Sequence, residues 1–553
     1  MLNTGFETQS GLAEALIAPL TRRALVRRLL HIGGLTFGAS LLGRAAISNE
    51  ASLDDVLSFV RPIAGRSDPV TRSMPVAGIG ATLPGSALAA TGPLGSTTQA
   101  VMPAAASDWA QVAGNPQHTA FMPAETLGTS WSVAWRYQLG VQAREKLYGQ
   151  AQAIVSAGHV LVPSLMGKLR SFAAGQVGPV LEWTADVGAP IMGSAAADGV
   201  RAYVADIYGR LTAYTLSNGQ RAWGPVQVTP GLPIQTSPLL ADGKLLIGGT
   251  DGTFYARDPA TGAAIWSRSV GAPILQTAAW SNVTGTGIVV FGAMDMRLYG
   301  LDSATGNVLW QTPQLTGSAF KDYWPVIDEA RRMVIVRPWA KLPYWESGSP
   351  QGLNLPLRGL EVANYLDDAS QSAMLAAYDA YPTAFAKTLY VVNLSTGAEL
   401  PPPIHWQVAI TMHGASPPPC IDRDGYLVIP AMRPSTMSNS WMAGWARVNL
   451  STRKVVDGLI DGATERGFGN RDENMCVSAC SNGIVAMHIQ QANAQYTGFY
   501  RQTDKTWTRI TGGAGTTQLF VNTQGSGANP AAISGGLVYH LAHPHTLVCL
   551  KAA

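Results

Sequence analysis

Three histidines lie within six residues of one another, at His540, His543 and His545. Imidazoles at such short spacing are ligands that zinc and copper accept. The same stretch carries Pro544 between two strand-like runs, and proline there also favours a simple polar turn. The sequence therefore offers a metal candidate and a structural alternative, and the turn is the better prediction.

A second cluster supplies oxygen atoms. Asp472, Glu473 and Asn474 are consecutive and stand where a repeat unit is expected to begin. Calcium needs several hard oxygen ligands that converge on one point. Successive side chains of a strand point to opposite faces, so these three converge only if they lie on a loop. An exposed acidic loop is the simpler interpretation.

Four cysteines, Cys420, Cys476, Cys480 and Cys549, give little chemistry. We expect Cys476 and Cys480 to share one apolar strand, where four residues of rise separate them by about 13 Å. That separation is too long for a disulfide. Buried free thiols are therefore predicted, and the two would bridge only if they lay on a turn instead.

Other chemistries find no support in the sequence. It contains no HExxH, no Walker-type phosphate loop and no GxSxG. The formal net charge is +3 over 553 residues, and no Lys/Arg run occurs outside the amino terminus. A nucleic-acid partner is therefore not expected.

A repeated motif indicates the elements that must position these residues. Ala-x-Asp-x-x-Thr-Gly-x-x-x-Trp is complete at Ala256–Trp266, nearly complete at Asp302–Trp310 and echoed at Ala213–Trp223. Trp183, Trp223, Trp266 and Trp310 are separated by 40, 43 and 44 residues, the length of one four-stranded propeller blade. Charged residues make up only 13% of the chain against about 25% in an average soluble domain. This composition agrees with a repeat fold of many strands and turns.

One repeat shows how a blade is encoded. Asp242-Gly243 and Asp251-Gly252 are turn dipeptides between strand-like runs. Asp258 is placed to accept bonds from the amides of the turn at Thr261-Gly262. Trp266 follows on an outer strand, where its ring is expected to cover the seam to the next blade.

Residues 187–310, which carry these motifs, resemble the quinoprotein-like propellers with tryptophan-docking motifs. That family includes the quinone-dependent alcohol dehydrogenases and the lipoprotein subunit of the outer-membrane barrel-assembly machine. In its dehydrogenases, the resemblance implies a quinone held between a tryptophan and a disulfide of adjacent cysteines. It also implies a calcium ion bound by Glu, Asn and Asp oxygens beside a catalytic Asp.

No two cysteines of this chain are adjacent, so one face of that quinone site is missing. We therefore expect no catalytic residues and no bound cofactor, with pyrroloquinoline quinone (PQQ) and calcium as the alternative.

Counting the copies predicts an all-β fold, an eight-bladed β-propeller of four-stranded antiparallel blades. The tail Asn529–Lys551 supplies only three strands, and Trp131–Tyr137 is a lone strand before the first blade. Joining them gives a last blade closed by the amino-terminal strand, which removes open edges. If the two ends did not pair, seven blades would be the count. Seven full copies are expected: Leu147–Trp183, Gly188–Trp223, Gly231–Trp266, Gly271–Trp310, Ala319–Pro402, Met412–Asp457 and Gly469–Ile510.

The amino terminus suggests export. Arg22 and Arg23 precede the apolar stretch Leu29–Gly43, and residues 1–46 resemble a twin-arginine signal. An uncleaved anchor and an amphipathic surface helix are the alternatives, so any membrane link is expected only through this segment. Residues 47–107, with a possible short helix, are predicted to be a flexible linker, and residues 108–553 the propeller. We expect an extracytoplasmic protein in the periplasm, at the cell surface or secreted.

Two further features bear on function. The insertion at residues 339–386 interrupts the fifth blade, and its aromatic residues either bind a partner or pack on the ring. Every blade begins at its inner strand, so the residues entering the blades are expected to converge at one mouth of the channel. These residues are Gln235, Gln276, Lys321, Asp322, His413, Arg471 and Asp472.

Two function classes follow from the sequence. The favoured one is a binding or scaffold module for a protein, peptide or glycan, because no complete catalytic constellation is visible. The alternative is a PQQ-dependent oxidoreductase that acts on an alcohol or sugar. Lys321 and Arg471 suit an anionic or carbonyl-bearing partner.

Overall fold

The computed structural model describes the ring and leaves gaps within it. The described residues are 108–139, 151–317, 319–338, 389–400, 418–434, 441–452, 454–460, 476–491, 494–510, 530–542 and 546–552. The chain divides into two compact units, Met1–Gln99 and Ala100–Ala553, and all described residues belong to the second. The predicted signal, linker, short helix and blade-five insertion lie outside the described residues. Among the described residues, no helix is long and apolar enough to cross a membrane.

Thirty-two short strands make up the described ring. The first ten are β1 (Phe121–Met122), β2 (Trp131–Gln138), β3 (Ile154–Ser156), β4 (His159–Pro163), β5 (Lys168–Ala173), β6 (Leu181–Asp186), β7 (Ala196–Ala197), β8 (Arg201–Ala205), β9 (Arg210–Thr215) and β10 (Arg221–Gln227). The next eleven are β11 (Leu239–Ala241), β12 (Lys244–Gly248), β13 (Thr253–Arg257), β14 (Ala264–Ser269), β15 (Ala279–Ser281), β16 (Ile288–Gly292), β17 (Leu298–Asp302), β18 (Val308–Gln311), β19 (Val326–Asp328), β20 (Met333–Val336) and β21 (Tyr390–Asn393). The last eleven are β22 (Cys420–Ile421), β23 (Leu427–Pro434), β24 (Trp441–Asn449), β25 (Lys454–Ile460), β26 (Cys476–Cys480), β27 (Gly483–Gln491), β28 (Ala494–Arg501), β29 (Thr506–Ile510), β30 (Ala532–Ser534), β31 (Leu537–Ala542) and β32 (Thr546–Ala552).

These strands form eight sheets, one for each blade. Blades one to four are β3–β6, β7–β10, β11–β14 and β15–β18, and blades six and seven are β22–β25 and β26–β29. Blade five has three described strands, β19–β21, and one bridge between Val392 and Glu399 where its fourth strand is expected. The eight-bladed fold predicted from the sequence is confirmed.

The eighth blade joins the two ends of the chain. Its strand order is β2-β32-β31-β30, so β2 forms the outer edge of a sheet made otherwise from the tail. Trp131 lies opposite Ala552 and Gln138 opposite Thr546, in antiparallel register. The predicted closure by the amino-terminal strand is confirmed, and seven blades is the wrong count.

Turn chemistry follows the sequence closely. Asp242 and Gly243 both have positive φ, 51° and 67°, as a type I′ hairpin turn requires. The carboxylate of Asp258 accepts bonds from the amides of Ala260 and Thr261, at 2.7 and 2.9 Å. The bonded amides lie one residue earlier in the chain than predicted, and the two bonds stabilise the same turn.

Tryptophans join successive blades. In each case the indole N–H donates to a backbone carbonyl of the next blade: Trp183 to Leu216, Trp223 to Pro259, Trp266 to Ser303 and Trp310 to Leu394, at 2.8 to 3.0 Å. The ring also lies flat against a glycine, and a Cβ at Gly397 would come within 2.3 Å of the Trp310 ring. Gly397 has a φ of 67°, so both space and backbone conformation require glycine there. Trp135 on β2 makes the corresponding bond to Gly175 of blade one, which joins the last blade to the first.

Candidate functional site: the open mouth of the ring

The first strand of each blade lies nearest the axis. First strands of neighbouring blades contact one another, as in the pairs β3 with β7, β22 with β26 and β30 with β3. Each first strand runs from one end of the ring to the other, because all blades have the same strand order. The ring therefore has one mouth where first strands begin and another where they end.

The entry segment, residues 108–127, lies across the mouth where first strands end. It bonds to all eight blades in order. Backbone amides of blades one, two, four, five, six and seven donate to its carbonyls: Val155 to Trp109, Ala197 to Ala110, Trp280 to Pro116, Ile327 to Gln117, Ile421 to Thr119 and Ala479 to Ala120, at 2.8 to 2.9 Å.

Side chains of the entry segment complete the circle. Gln111 bonds both backbone groups of Leu240 in blade three. The carboxylate of Glu125 accepts the amides of Gly535 and Gly536 in blade eight, at 2.9 and 2.8 Å. The segment therefore closes this mouth. We call the opposite end the open mouth.

Connections on the two sides differ in length. On the closed side, two-residue turns such as Ala157-Gly158 and Asp242-Gly243 join first and second strands. On the open side, strand ends are joined through 339–388, 461–475 and 511–529. Long connections in a compact fold are often functional. The described strand ends of blades five to eight that border these stretches lie at the open mouth.

Four of the predicted site residues are described, and all four precede first strands at the open mouth. Gln235, Lys321 and Asp322 are half-buried. Gln276 is buried, and its side-chain oxygen accepts the amide of Gly292 at 3.0 Å. This contact uses Gln276 in packing its own blade. His413, Arg471, Asp472, Glu473 and Asn474 lie outside the described residues.

The structure brings Lys321 and Asp322 against the neighbouring blade. Lys321 pairs in parallel with Leu275, and the amide of Asp322 donates to the Leu275 carbonyl at 3.0 Å. Asp322 and Tyr323 both have left-handed φ values, 58° and 41°. Such a conformation costs about 1–3 kcal/mol for a residue other than glycine, and observed strain of this kind clusters at functional sites. The junction of blades four and five is therefore the best-defined part of the open mouth.

Sequence reasoning missed Arg337, which lies at the same junction. It follows β20 directly, is buried, and precedes the blade-five insertion. Burial lowers the pKa of the Arg337 guanidinium to about 9, and the nearby Tyr323 partly opposes this effect. An arginine in the strand-like run from Met333 gave no signal of its own, since only the tertiary structure places it beside Tyr323.

A row of side chains lines the first strands just inside this mouth. The amide of Gln152 donates to the hydroxyl of Ser194, that of Ser194 to Ser237, and that of Ser237 to Thr277, at 2.7 to 2.9 Å. Each hydroxyl belongs to the next blade. The row continues as a backbone contact, because the amide of Thr277 donates to the carbonyl of Tyr323 at 3.0 Å. The blade-length spacing of these residues is visible in the sequence.

The histidine candidate is only partly described. His540 lies within β31, buried and opposite Val548, rather than at the tip of the hairpin. His543 and His545 lie outside the described residues. Among the residues that the structure describes, no group of three His, Cys, Asp or Glu side chains is arranged to hold a metal ion.

All four cysteines are free and buried, on β22, β26 and β32. Cys476 and Cys480 share β26, as predicted, and burial raises the pKa of both thiols. None is adjacent to another in sequence. The described residues therefore do not fit the disulfide-and-calcium quinone site that the resemblance implied, and no chemical step is derived through that group.

Comparison with known proteins identifies proteins of similar sequence and fold. Residues 128–338 match the family model described as outer membrane protein assembly factor BamB. No curated protein matches the chain. The structure of BamB from Moraxella catarrhalis is 13% identical, with a TM-score of 0.45, and the match covers 75% of this chain and 99% of that one.

Two enzymes have the same fold. The quinohemoprotein alcohol dehydrogenase from Comamonas testosteroni is 12% identical, with a TM-score of 0.51 and 81% of each chain covered. The corresponding enzyme from Pseudomonas putida HK5 is 12% identical, with a TM-score of 0.50, and covers 81% of this chain and 80% of its own. At such identity the similarity shows the fold alone. It confirms the resemblance to quinoprotein-like propellers.

Proposed function

We propose that this quinoprotein-like propeller is a binding module outside the cytoplasm that holds a partner at its open mouth. One observation carries the proposal: the entry segment bonds to all eight blades at one mouth, which favours the opposite mouth as the place for a partner. Ligands bind preferentially in concave sites lined by a few convergent polar groups. We propose the blade four–five junction, with Lys321, Asp322 and Arg337, as part of that site.

The partner that we favour is a protein or peptide, with a glycan as the other outcome. The matching family model is named for outer membrane protein assembly, which favours a protein partner. The positive side chains Lys321 and Arg337 favour one that offers carboxylate or carbonyl oxygens. Arg471, which precedes blade seven, is proposed to add a third positive group.

Export supports the same role. The twin-arginine-like residues Arg22 and Arg23 favour a location in the cell envelope, where the flexible linker would hold the ring at a distance from a membrane.

The test compares retention of envelope proteins on the immobilised chain. Lys321→Ala combined with Arg471→Ala should reduce retention at least tenfold. A matched control, Arg221→Ala combined with Lys505→Ala, removes two exposed charges away from the open mouth and should leave retention unchanged. Equal retention by both double variants, with the fold intact, would place the contact elsewhere on the ring.

A second experiment addresses the enzyme alternative. The chain is incubated with PQQ and calcium, desalted, and examined by near-ultraviolet absorbance. We expect no stoichiometric quinone to remain, because the described cysteines are not adjacent and no group of three described acidic side chains is arranged to hold a metal ion. Stoichiometric retention would favour an oxidoreductase over a binding module.

A further inference from the structure

His118 lies on the entry segment, between two residues that bind neighbouring blades. Its neighbours Gln117 and Thr119 use their carbonyls to bind blades five and six. His118 itself has a left-handed φ of 57° and is buried, with 1% of its surface exposed. Its ring packs edge-on against Trp324, with ring centroids 5.8 Å apart at 68°. The closed end of the ring therefore carries an imidazole and an indole in direct contact.

Each of these two rings has a buried polar atom that finds no hydrogen-bond partner among the described residues. They are Nδ1 of His118 and Nε1 of Trp324. Buried polar atoms are nearly always paired, and an unpaired one costs about 1–3 kcal/mol. Two such atoms on touching rings are therefore a specific feature that calls for an explanation.

Their hydrogen-bonding roles are opposite. The other imidazole nitrogen of His118 faces the carbonyl of Pro325, which fixes the proton on that side. Burial lowers the pKa of His118 to about 3, so the ring is neutral at physiological pH. Nδ1 is consequently an acceptor, whereas the indole Nε1–H of Trp324 can only donate.

The position of Trp324 connects this pair to the open mouth. Trp324 follows Asp322 and Tyr323, the two strained residues at the junction of blades four and five. The Tyr323 and Trp324 rings are also in edge contact, with centroids 5.9 Å apart. A line of residues thus leads from Lys321 and Asp322 at the mouth, past Tyr323 and Trp324, to His118 at the closed end.

We propose that His118 and Trp324 form the floor of a ligand site that takes one neutral group able both to donate and to accept a hydrogen bond, a hydroxyl or a primary amide. The group donates to Nδ1 of His118 and accepts from Nε1–H of Trp324. A carboxylate would place an acceptor against the acceptor Nδ1, and an ammonium would leave the indole unpaired. This inference rests on the proposed binding function and names the chemistry of what reaches the bottom of the site.

The experiment uses the full chain with ¹⁵N-labelled tryptophan. The Trp324 indole signal is assigned by its loss in Trp324→Phe, which keeps a ring of similar shape. Acetamide, ethylene glycol and acetate are titrated separately. Acetamide or ethylene glycol should shift the Trp324 signal saturably, and which of the two binds more tightly distinguishes amide from hydroxyl. Acetate should not shift it.

Two controls keep the result specific. The signal of Trp266, whose N–H already donates to Ser303, should not move with any probe. His118→Phe should weaken probe binding at least tenfold while the other indole signals retain their positions. No saturable shift at Trp324, or an equal shift with acetate, would overturn the proposal. Either outcome would leave the partner-retention test at the open mouth unaffected.

Discussion

At the scale of single residues, the tryptophans were the most predictable. The sequence placed Trp183, Trp223, Trp266 and Trp310 on outer strands at the seams, and the structure shows each indole N–H bonded across a seam. The sequence could not predict which tryptophan is most buried, because burial depends on the neighbouring blade. Trp310 is 7% exposed and Trp183 9%, whereas Trp266 is only half-buried.

Replacing Trp310 should therefore cost more than replacing Trp266. Trp310→Ala is expected to lower the free energy of unfolding by about 3–5 kcal/mol, since a buried ring and its packing on Gly397 are lost. Trp266→Ala should cost less. Leu309→Ala is the matched control, because Leu309 is 45% exposed on the same strand. Denaturant midpoints of the three variants test the order, and equal midpoints for Trp310→Ala and Leu309→Ala would contradict it.

His118 gives a pH dependence of stability with a definite sign. Its folded-state pKa of about 3 lies below the ordinary value of 6.5, because burial disfavours the charged ring. Between these values the unfolded chain binds more protons, so this residue lowers stability as pH falls, by up to about 1.4 kcal/mol per pH unit. The effect fades as pH rises through the unfolded-state pKa of 6.5.

Urea midpoints between pH 4 and pH 7 measure this contribution. His118→Phe should flatten the slope relative to the unchanged chain. Parallel slopes for His118→Phe and the parent chain would show that His118 binds protons equally in the folded and unfolded states, and would contradict the lowered pKa.

At the scale of elements, prediction succeeded where the docking motif is complete and weakened where it is not. Blades two to four have Asp-Gly or Thr-Gly turns at regular spacing, so local chemistry defines their strands. In blades five to seven the motif is degenerate, and arginine side chains form some of the hydrogen bonds between neighbouring blades. Arg331 of blade five donates to the Gly425 carbonyl of blade six at 3.0 Å. No local sequence pattern predicts such contacts, because the residue that accepts the hydrogen bond is about a hundred residues away in the chain.

Blade six contains the strongest of these charge clusters. Arg447, buried on β24, contacts Asp422 at 2.6 Å, Asp424 at 2.6 Å and Asp457 at 2.7 Å. Gln502 of blade seven also bonds to Asp422, at 3.0 Å, so the cluster spans the seam. Desolvation raises the pKa of Asp422 although Arg447 opposes this effect.

Arg447→Met should be strongly destabilising. It leaves the buried carboxylate of Asp422 beside two others without a compensating positive charge, and removal of one partner from a buried ion pair costs about 3–5 kcal/mol. Arg423→Ala is the control, because Arg423 is more exposed and makes only longer contacts, to Asp424 at 3.5 Å and to blade seven at 3.4 and 3.5 Å. Adding Asp422→Asn to Arg447→Met should recover part of the loss. Denaturant midpoints measure these changes. If Arg447→Met lowers the free energy of unfolding no more than Arg423→Ala does, Arg447 does not stabilise the fold by compensating the buried carboxylates.

At the scale of the whole molecule, the sequence predicted the ring and its closure by β2, yet not the asymmetry of its two mouths. The entry segment has no repeat pattern, and its bonds reach partners up to 411 residues away. Loop lengths were visible in the sequence, but which side of the ring they lie on follows only from strand order. The proposed binding site is therefore defined by global topology, and His118 could not be singled out from the sequence.

The entry segment and β2 together bond to every blade, so their hold on the ring should not depend on the covalent link at residues 140–150. A protease site introduced into that link allows the folded full chain to be cut there. We expect the amino-terminal piece, with residues 108–138, to stay with the ring in gel filtration. It should leave only in denaturant, because removing it exposes the inner strand ends and the edge of β32.

Glu125→Ala, which removes the acceptor for Gly535 and Gly536, should make the cut piece leave at a lower denaturant concentration. Lys505→Ala, an exposed change that touches neither piece's contacts, should not. Separation of the cut pieces in native buffer would mean that the closed mouth is held only by the chain connection, and that both ends of the channel are open to ligands.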